Sequence, residues 1–207
     1  MPTEVQHPTL VDALADAHLR TRPWPHAWLD QALVPALAGE LARSFDDASL
    51  TPCEQREGDK TYRMATRPVD TDAPDTWPGG PWPELIRTLA SPAYRAQIAR
   101  LTGVPLDTAR LSLNLWEYAG GDWLSPHVDK PEKLVTQIFY LSDGWTPADG
   151  GQLLVLDGPD VTHTVAAHTP LLGTSAVLVR SDDSWHAVRS PASTAPGRRS
   201  LTATFLR

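Results

Sequence analysis

A chain of 207 residues, 41% of them hydrophobic, is long enough to bury one well-packed core and short for two full domains, so a single domain over 1–207 is expected. A formal charge of −7 and a pI near 5.4 argue against a nucleic-acid partner, which needs clustered Lys and Arg to displace counterions from phosphates. One cysteine, Cys53, leaves no disulfide framework, and no apolar run approaches the ~20 residues that span a bilayer. The first residues have neither the basic nor the apolar region of a secretory signal. A cytoplasmic protein with no membrane partner is the expectation, and nothing in the sequence fixes its oligomeric state.

In chain order, Thr9 to Arg20 reads as a short amphipathic helix with Leu10, Leu14, Ala17 and Leu19 as a partial stripe. Arg22-Pro-Trp-Pro-His-Ala-Trp-Leu29 cannot be helical with two closely spaced prolines and reads as an extended segment, with His26 a surface or capping histidine rather than a ligand. Val34 to Phe45 follows as a helix that tolerates Pro35 in its first turn. From Asp46 to Pro83 the periodicity disappears over a span longer than the ~12–15 residues of ordinary loops, which makes 46–83 a candidate lid. Within it Lys60 to Ala65 reads as a short strand, and Tyr62, Arg63 or Arg67 either helps close over substrate or is simply solvated. Helices at Glu84–Ala90 and Pro92–Leu101 complete a helical N-terminal part, 1–108. The second has Ser91 as N-cap, Pro92 in the first turn and Gly103 just past its end.

After Asp107 the pattern changes to short strands separated by turn signals, at Arg110–Tyr118, Ser125–Asp129, Leu134–Ser142, Gln152–Leu156, Thr162–His168, Ser175–Arg180, Trp185–Ser190 and Arg198–Phe205. Eight strands suit a double-stranded β-helix, a jelly-roll or cupin-like core over 109–207, and the helices before it make the class α+β. His127-Val-Asp129 puts two metal ligands on one strand face, because side chains repeat every second residue. A third ligand from elsewhere is needed, and His186 supplies it. Two imidazoles and one carboxylate form the facial triad of non-haem Fe(II) oxygenases. On the last strand the alternation Arg198, Ser200, Thr202, Thr204 sets a cation at the mouth of a polar face suited to an anion.

Leu134-Val-Thr-Gln-Ile-Phe-Tyr-Leu-Ser142, Asp143-Gly-Trp145 and Asp149-Gly-Gly-Gln-Leu153 resemble the core of the 2-oxoglutarate- and Fe(II)-dependent dioxygenases, in particular the prolyl hydroxylase branch. The resemblance runs from about Leu111 to Phe205. It implies His127, Asp129 and His186 for iron, and Arg198 with Tyr140 for the far carboxylate of 2-oxoglutarate. Arg198 is chosen over Arg199 because it shares parity with Thr202 and Thr204. Tyr118 matches another tyrosine that lines the co-substrate pocket. The cofactors implied are Fe(II), 2-oxoglutarate and O2, and the products succinate and CO2.

Beside that reading stand the plainer ones: polar residues satisfied at strand ends, or a non-redox cupin-like barrel holding another metal. Asn114, Trp116 and Trp185 either wall the pocket or pack in the core, and His163 and His168 fall in a Thr-rich hairpin at the surface. An aromatic mouth of Trp116, Trp123 and Trp185 favours a small amino-acid-like or peptidic substrate, possibly prolyl, hydroxylated at an unactivated C–H bond. The alternative is a folded protein hydroxylated on proline.

Overall fold

The computed structural model describes residues 9–45, 48–77 and 80–207. In chain order these form α1 (Leu10–Ala15), β1 (His26–Leu29), α2 (Pro35–Arg43), β2 (Thr51–Gln55), β3 (Tyr62–Val69), α3 (Trp82–Ala90) and α4 (Pro92–Thr102). Then come β4 (Arg110–Tyr118), β5 (Trp123–His127), β6 (Lys133–Tyr140), β7 (Leu153–Leu156), β8 (Thr164–His168), β9 (Ser175–Val179), β10 (His186–Val188) and β11 (Arg198–Leu206).

All the strands join one antiparallel sheet in the order β1-β9-β6-β11-β4-β3-β5-β10-β7-β8, with β2 paired to β3. Residues from eight of these strands, β3 to β7 and β9 to β11, line one cavity, so the sheet curls on itself into the expected double-stranded β-helix. Parity along the strands separates the two faces. Leu113 and Leu115, Val135 and Phe139, and Leu201, Ala203 and Phe205 point outward into the main core. Their even-numbered neighbours Ser112, Asn114 and Trp116, Thr136 and Ile138, and Ser200, Thr202 and Thr204 point into the cavity.

The helices cover that outer face. α3 repeats Trp82, Leu85, Ile86 and Leu89 at helical spacing, all at most 3% exposed, and each such burial contributes roughly 1.5–3 kcal/mol. In α4 the Ser91 hydroxyl accepts the Tyr94 amide, Pro92 starts the helix, and Gly103 ends it at φ +70°, where other residues are strained. The Tyr94 phenol donates to Gln137 on β6 at 2.9 Å, tying helix to sheet.

Three features depart from the sequence reading. The helix expected to Arg20 ends at Ala15, and the chain turns back so that Arg20 bridges His26. The stretch 1–108 is not purely helical, since it contributes three strands to the sheet. Within 46–83, β2 and β3 form a hairpin with Thr51 opposite Thr66 and Gln55 opposite Tyr62, and β3 joins β4 and β5. Of the residues expected there, 46–47 and 78–79 lie outside those described. Among the described residues no helix is long and apolar enough to cross a membrane.

Candidate active site

The site begins with a register. β5 and β10 are antiparallel neighbours that place His127 directly opposite His186, with ring centres 4.2 Å apart. Asp129 follows two residues after His127, just beyond the end of β5, and its Oδ1 lies 3.7 Å from His127 Nε2. One ligand atom from each of the three residues lies within 4.8 Å of the others, so the cluster can hold a metal ion.

Each imidazole is oriented by its own chain. His127 Nδ1 donates to the Ser125 carbonyl and His186 Nδ1 to the Ser184 carbonyl, both at 2.9 Å. A carbonyl only accepts, so Nδ1 carries the proton and the neutral ring presents its Nε2 lone pair, the form that ligates a metal. Burial, reinforced by the neighbouring imidazole, lowers His186 to about 3, and burial lowers His127 as well. Burial alone would raise Asp129, but the Lys133 ammonium beside it opposes this and holds its carboxyl below the ordinary range. Lys133 Nζ donates to Asp129 Oδ1 at 2.7 Å. Two neutral imidazoles and an ionised carboxylate are thus the resting state at neutral pH. Behind them the Trp24 indole donates to the carbonyls of Leu156 and Trp185, bracing the backbone just before His186.

The second part of the site lies where β11 starts. Arg198 is 2% exposed, its Nε donates to the Gly151 carbonyl at 2.7 Å, and no acidic partner for it occurs among the described residues. Its guanidinium carbon lies 5.0 Å from the Tyr118 ring centre and 5.1 Å from that of Tyr140. The Tyr140 hydroxyl is buried without a hydrogen-bond partner among the described residues, and burial pushes its phenol up to about 12 while Arg198 pulls the other way. A buried guanidinium without a carboxylate is costly unless a ligand brings one, and an orphaned buried hydroxyl carries a similar cost. This corner fits the distal carboxylate of a keto acid. Arg199 points to the other face, where it pairs with Glu117 and lies over Phe45.

The cavity between these two parts measures about 310 Å³. Asn114 and Trp116 line it, and Trp116 donates to the Thr202 hydroxyl at 2.9 Å. Tyr62 stands one layer back, packed with Met64, Tyr118 and Val188. Like Tyr62, two further expected substrate residues do not line the cavity. Trp185 neighbours His186 on an extended chain, so it faces the opposite way, onto Leu154, Leu156 and Ala187. Arg63 likewise alternates with Met64 and turns outward to pair with Asp122 and cover Trp123. The structure adds Lys60, Met64 and Lys133 to the lining. Lys60 and Met64 fall in the stretch read as a short strand, but β2, which makes Lys60 part of a turn, was not foreseen, and Lys133 precedes the start expected for β6.

His26, expected at the surface or as a cap, and His168, expected at the surface, are packed instead. His26 is 2% exposed, and His168 stacks on Trp28 with ring centres 4.3 Å apart and its Nε2 buried.

Residues 113–207 match the family model described as the 2OG-Fe(II) oxygenase superfamily. No curated protein matches the chain in sequence. Among solved structures the chain is similar to a Pseudomonas putida prolyl-4-hydroxylase, with 24% identity over 96% of this chain and 97% of that one and a TM-score of 0.64. It is also similar to a Trichoplax adhaerens prolyl hydroxylase in complex with a hypoxia inducible factor oxygen degradation domain peptide fragment. There the identity is 16% over 96% and 87% of the two chains, with a TM-score of 0.65. HygX from Streptomyces hygroscopicus, solved with nickel and 2-oxoglutarate, gives 13% identity over 87% and 82%, with a TM-score of 0.59. Over residues 113–207 the chain is thus matched to the 2-oxoglutarate- and Fe(II)-dependent oxygenases, and its fold is shared with prolyl hydroxylases.

Proposed function

We propose that His127, Asp129 and His186 hold the iron, that Arg198 and Tyr140 with Tyr118 receive the distal carboxylate of 2-oxoglutarate, and that the primary substrate is a small amino-acid-like or peptidic molecule. The observation that carries this reading is Arg198, a buried cation with no acidic partner among the described residues, in the same cavity as the three-ligand cluster. Iron and 2-oxoglutarate supply the oxidative chemistry, in which the keto acid and O2 become succinate and CO2 and one oxygen atom goes to a C–H bond. The chain's own residues do the rest. The carbonyls of Ser125 and Ser184 hold the imidazoles in the ligating tautomer, Lys133 keeps Asp129 ionised, and Arg198 neutralises the co-substrate's far end with charge-assisted hydrogen bonds. A non-redox barrel would leave the Arg198 and Tyr140 corner without a role.

A cavity of about 310 Å³ shared between co-substrate and substrate favours an enclosed small molecule or one residue of a peptide. The peptide bound to the Trichoplax neighbour supports the peptidic form, including a prolyl residue. The lid expected in 46–83 falls on this reading to the turn between β2 and β3, whose Lys60 lines the cavity. The test is a screen of free amino acids and short Pro-containing peptides for substrate-stimulated succinate release, with one oxygen atom gained by the product. Stimulation by an intact protein partner alone would overturn the small-substrate reading.

A further inference from the structure

The chain has three lysines, Lys60, Lys130 and Lys133. Lys60 lies in the turn from β2 to β3, Lys130 in the turn from β5 to β6 and Lys133 at the start of β6, and they gather at one side of the cavity. Lys60 and Lys133 line it while partly exposed, and Lys130 is exposed within electrostatic reach of Lys60. Arg198, by contrast, is buried at the far end of β11, whose other end, Leu206, pairs with Lys133. The lysines therefore mark the mouth and Arg198 the floor.

Their charge is not consumed by the rest of the site. Iron, Asp129, Arg198 and a dianionic keto acid together cancel, which leaves the ammonium groups in excess. Lys133 touches Asp129, but Lys60 has no carboxylate within ion-pair distance among the described residues. Burial and the neighbouring Lys133 lower Lys60 to about 8. A lysine serving solubility would extend into water; this one turns into the cavity against that electrostatic cost, on a chain whose net charge is −7.

We propose that Lys60 and Lys133, with Lys130 outside them, receive a carboxylate of the primary substrate, so that the enzyme acts on an anionic molecule. This rests on the oxygenase reading of the site and sharpens its substrate class. The carboxylate is either the α-carboxylate of a free or N-capped amino acid or an acidic side chain beside the oxidised residue of a peptide. In both cases it seats the substrate at the mouth with the reacting carbon turned toward the metal cluster.

Three lysines make a direct test practical. Reductive methylation with ¹³C keeps their charge and labels each one. The protein, loaded with Zn(II) and 2-oxoglutarate, is titrated with N-acetyl-L-proline against N-acetyl-L-prolinamide, and with a capped Glu-Pro-Gly peptide against its Gln-Pro-Gly counterpart. In at least one pair the carboxylate member is expected to shift the Lys60 signal saturably while its neutral partner does not, and the responding pair identifies the source. Lys60→Glu should weaken that carboxylate probe on the order of 30-fold or more, because a like charge then faces the probe's carboxylate. Lys60→Gln should fall between, and 2-oxoglutarate affinity, measured by binding, should stay within about two-fold in both variants. Equal or absent shifts across both pairs, or a weakened 2-oxoglutarate affinity in Lys60→Glu, would overturn the proposal. Metal and 2-oxoglutarate binding in the same samples report separately on the oxygenase reading, whose failure would be their loss in the unsubstituted protein.

Discussion

The guanidinium of Arg198 lies 5.1 Å from the Tyr140 ring, and the two are among the largest fully buried side chains of the protein. Neither an acidic group for the one nor a hydrogen-bond partner for the other's hydroxyl occurs among the described residues. Arg198→Ala should therefore raise the 2-oxoglutarate concentration needed for half-saturation on the order of 30-fold or more, since losing one partner of a buried charged hydrogen bond costs about 2–5 kcal/mol. Arg199→Ala, on the opposite face, should leave it nearly unchanged. Titration of the two variants with 2-oxoglutarate checks this, and a larger effect from Arg199→Ala would shift the proposed anchor by one residue.

Tyr140→Phe separates stability from binding. Removing a buried hydroxyl that has no partner among the described residues should leave the ligand-free protein as stable or stabilise it by about 1 kcal/mol, within the penalty for an unsatisfied polar group. The same change should shrink the rise in Tm produced by 2-oxoglutarate with metal. Thermal unfolding with and without both ligands measures the two effects, and a loss of stability in the ligand-free protein would mean the hydroxyl is already satisfied.

Gly151 supports the same corner from behind. Its φ is +65°, and an added Cβ would sit 2.9 Å from the Trp145 ring and 3.0 Å from Arg198 Cδ. Gly151→Ala should cost about 1–3 kcal/mol of stability through the strained backbone, and weaken 2-oxoglutarate because Arg198 must move. Chemical denaturation and a co-substrate titration check it together.

Much of this site was legible because strand alternation is a strict period of two. The parity of Arg198, Ser200, Thr202 and Thr204 is the parity that lines the cavity, and His127 and His186 meet across one strand pair. The same rule, applied to neighbours, would have turned Trp185 and Arg63 away. Of the β2–β3 hairpin, the strand read at Lys60–Ala65 overlaps β3, but β2 was hidden because it is an exposed polar strand carrying Pro52, with no apolar alternation to reveal it. With β2 went the turn that places Lys60. His26 and His168 looked exposed because what buries them is tertiary, β1 pairing with β9 and Trp28 stacking on His168.

The buried imidazoles also set a pH dependence. Folded His186 is held neutral down to about 3, whereas in the unfolded chain it takes a proton near its ordinary 6.5. The unfolded state then binds more protons between those values, so this contribution to stability is present above 6.5 and is lost as pH falls toward 3. The metal-free protein should lose roughly 1.4 kcal/mol per pH unit from this group within that window. Denaturant titrations at pH 7, 5.5 and 4.5 measure the slope, and His186→Gln should flatten it. An unchanged slope in that variant would place the titration elsewhere.

The most direct test of the central claim is anaerobic titration of the metal-free protein with Fe(II) and 2-oxoglutarate, followed by visible absorption. Iron held by His127, Asp129 and His186 with the keto acid chelated to it should give a weak charge-transfer band at one iron per chain, absent in His127→Ala and His186→Ala and shifted to higher 2-oxoglutarate concentration in Arg198→Ala. No band in the unsubstituted protein, or a band that survives loss of either histidine, would contradict the assignment.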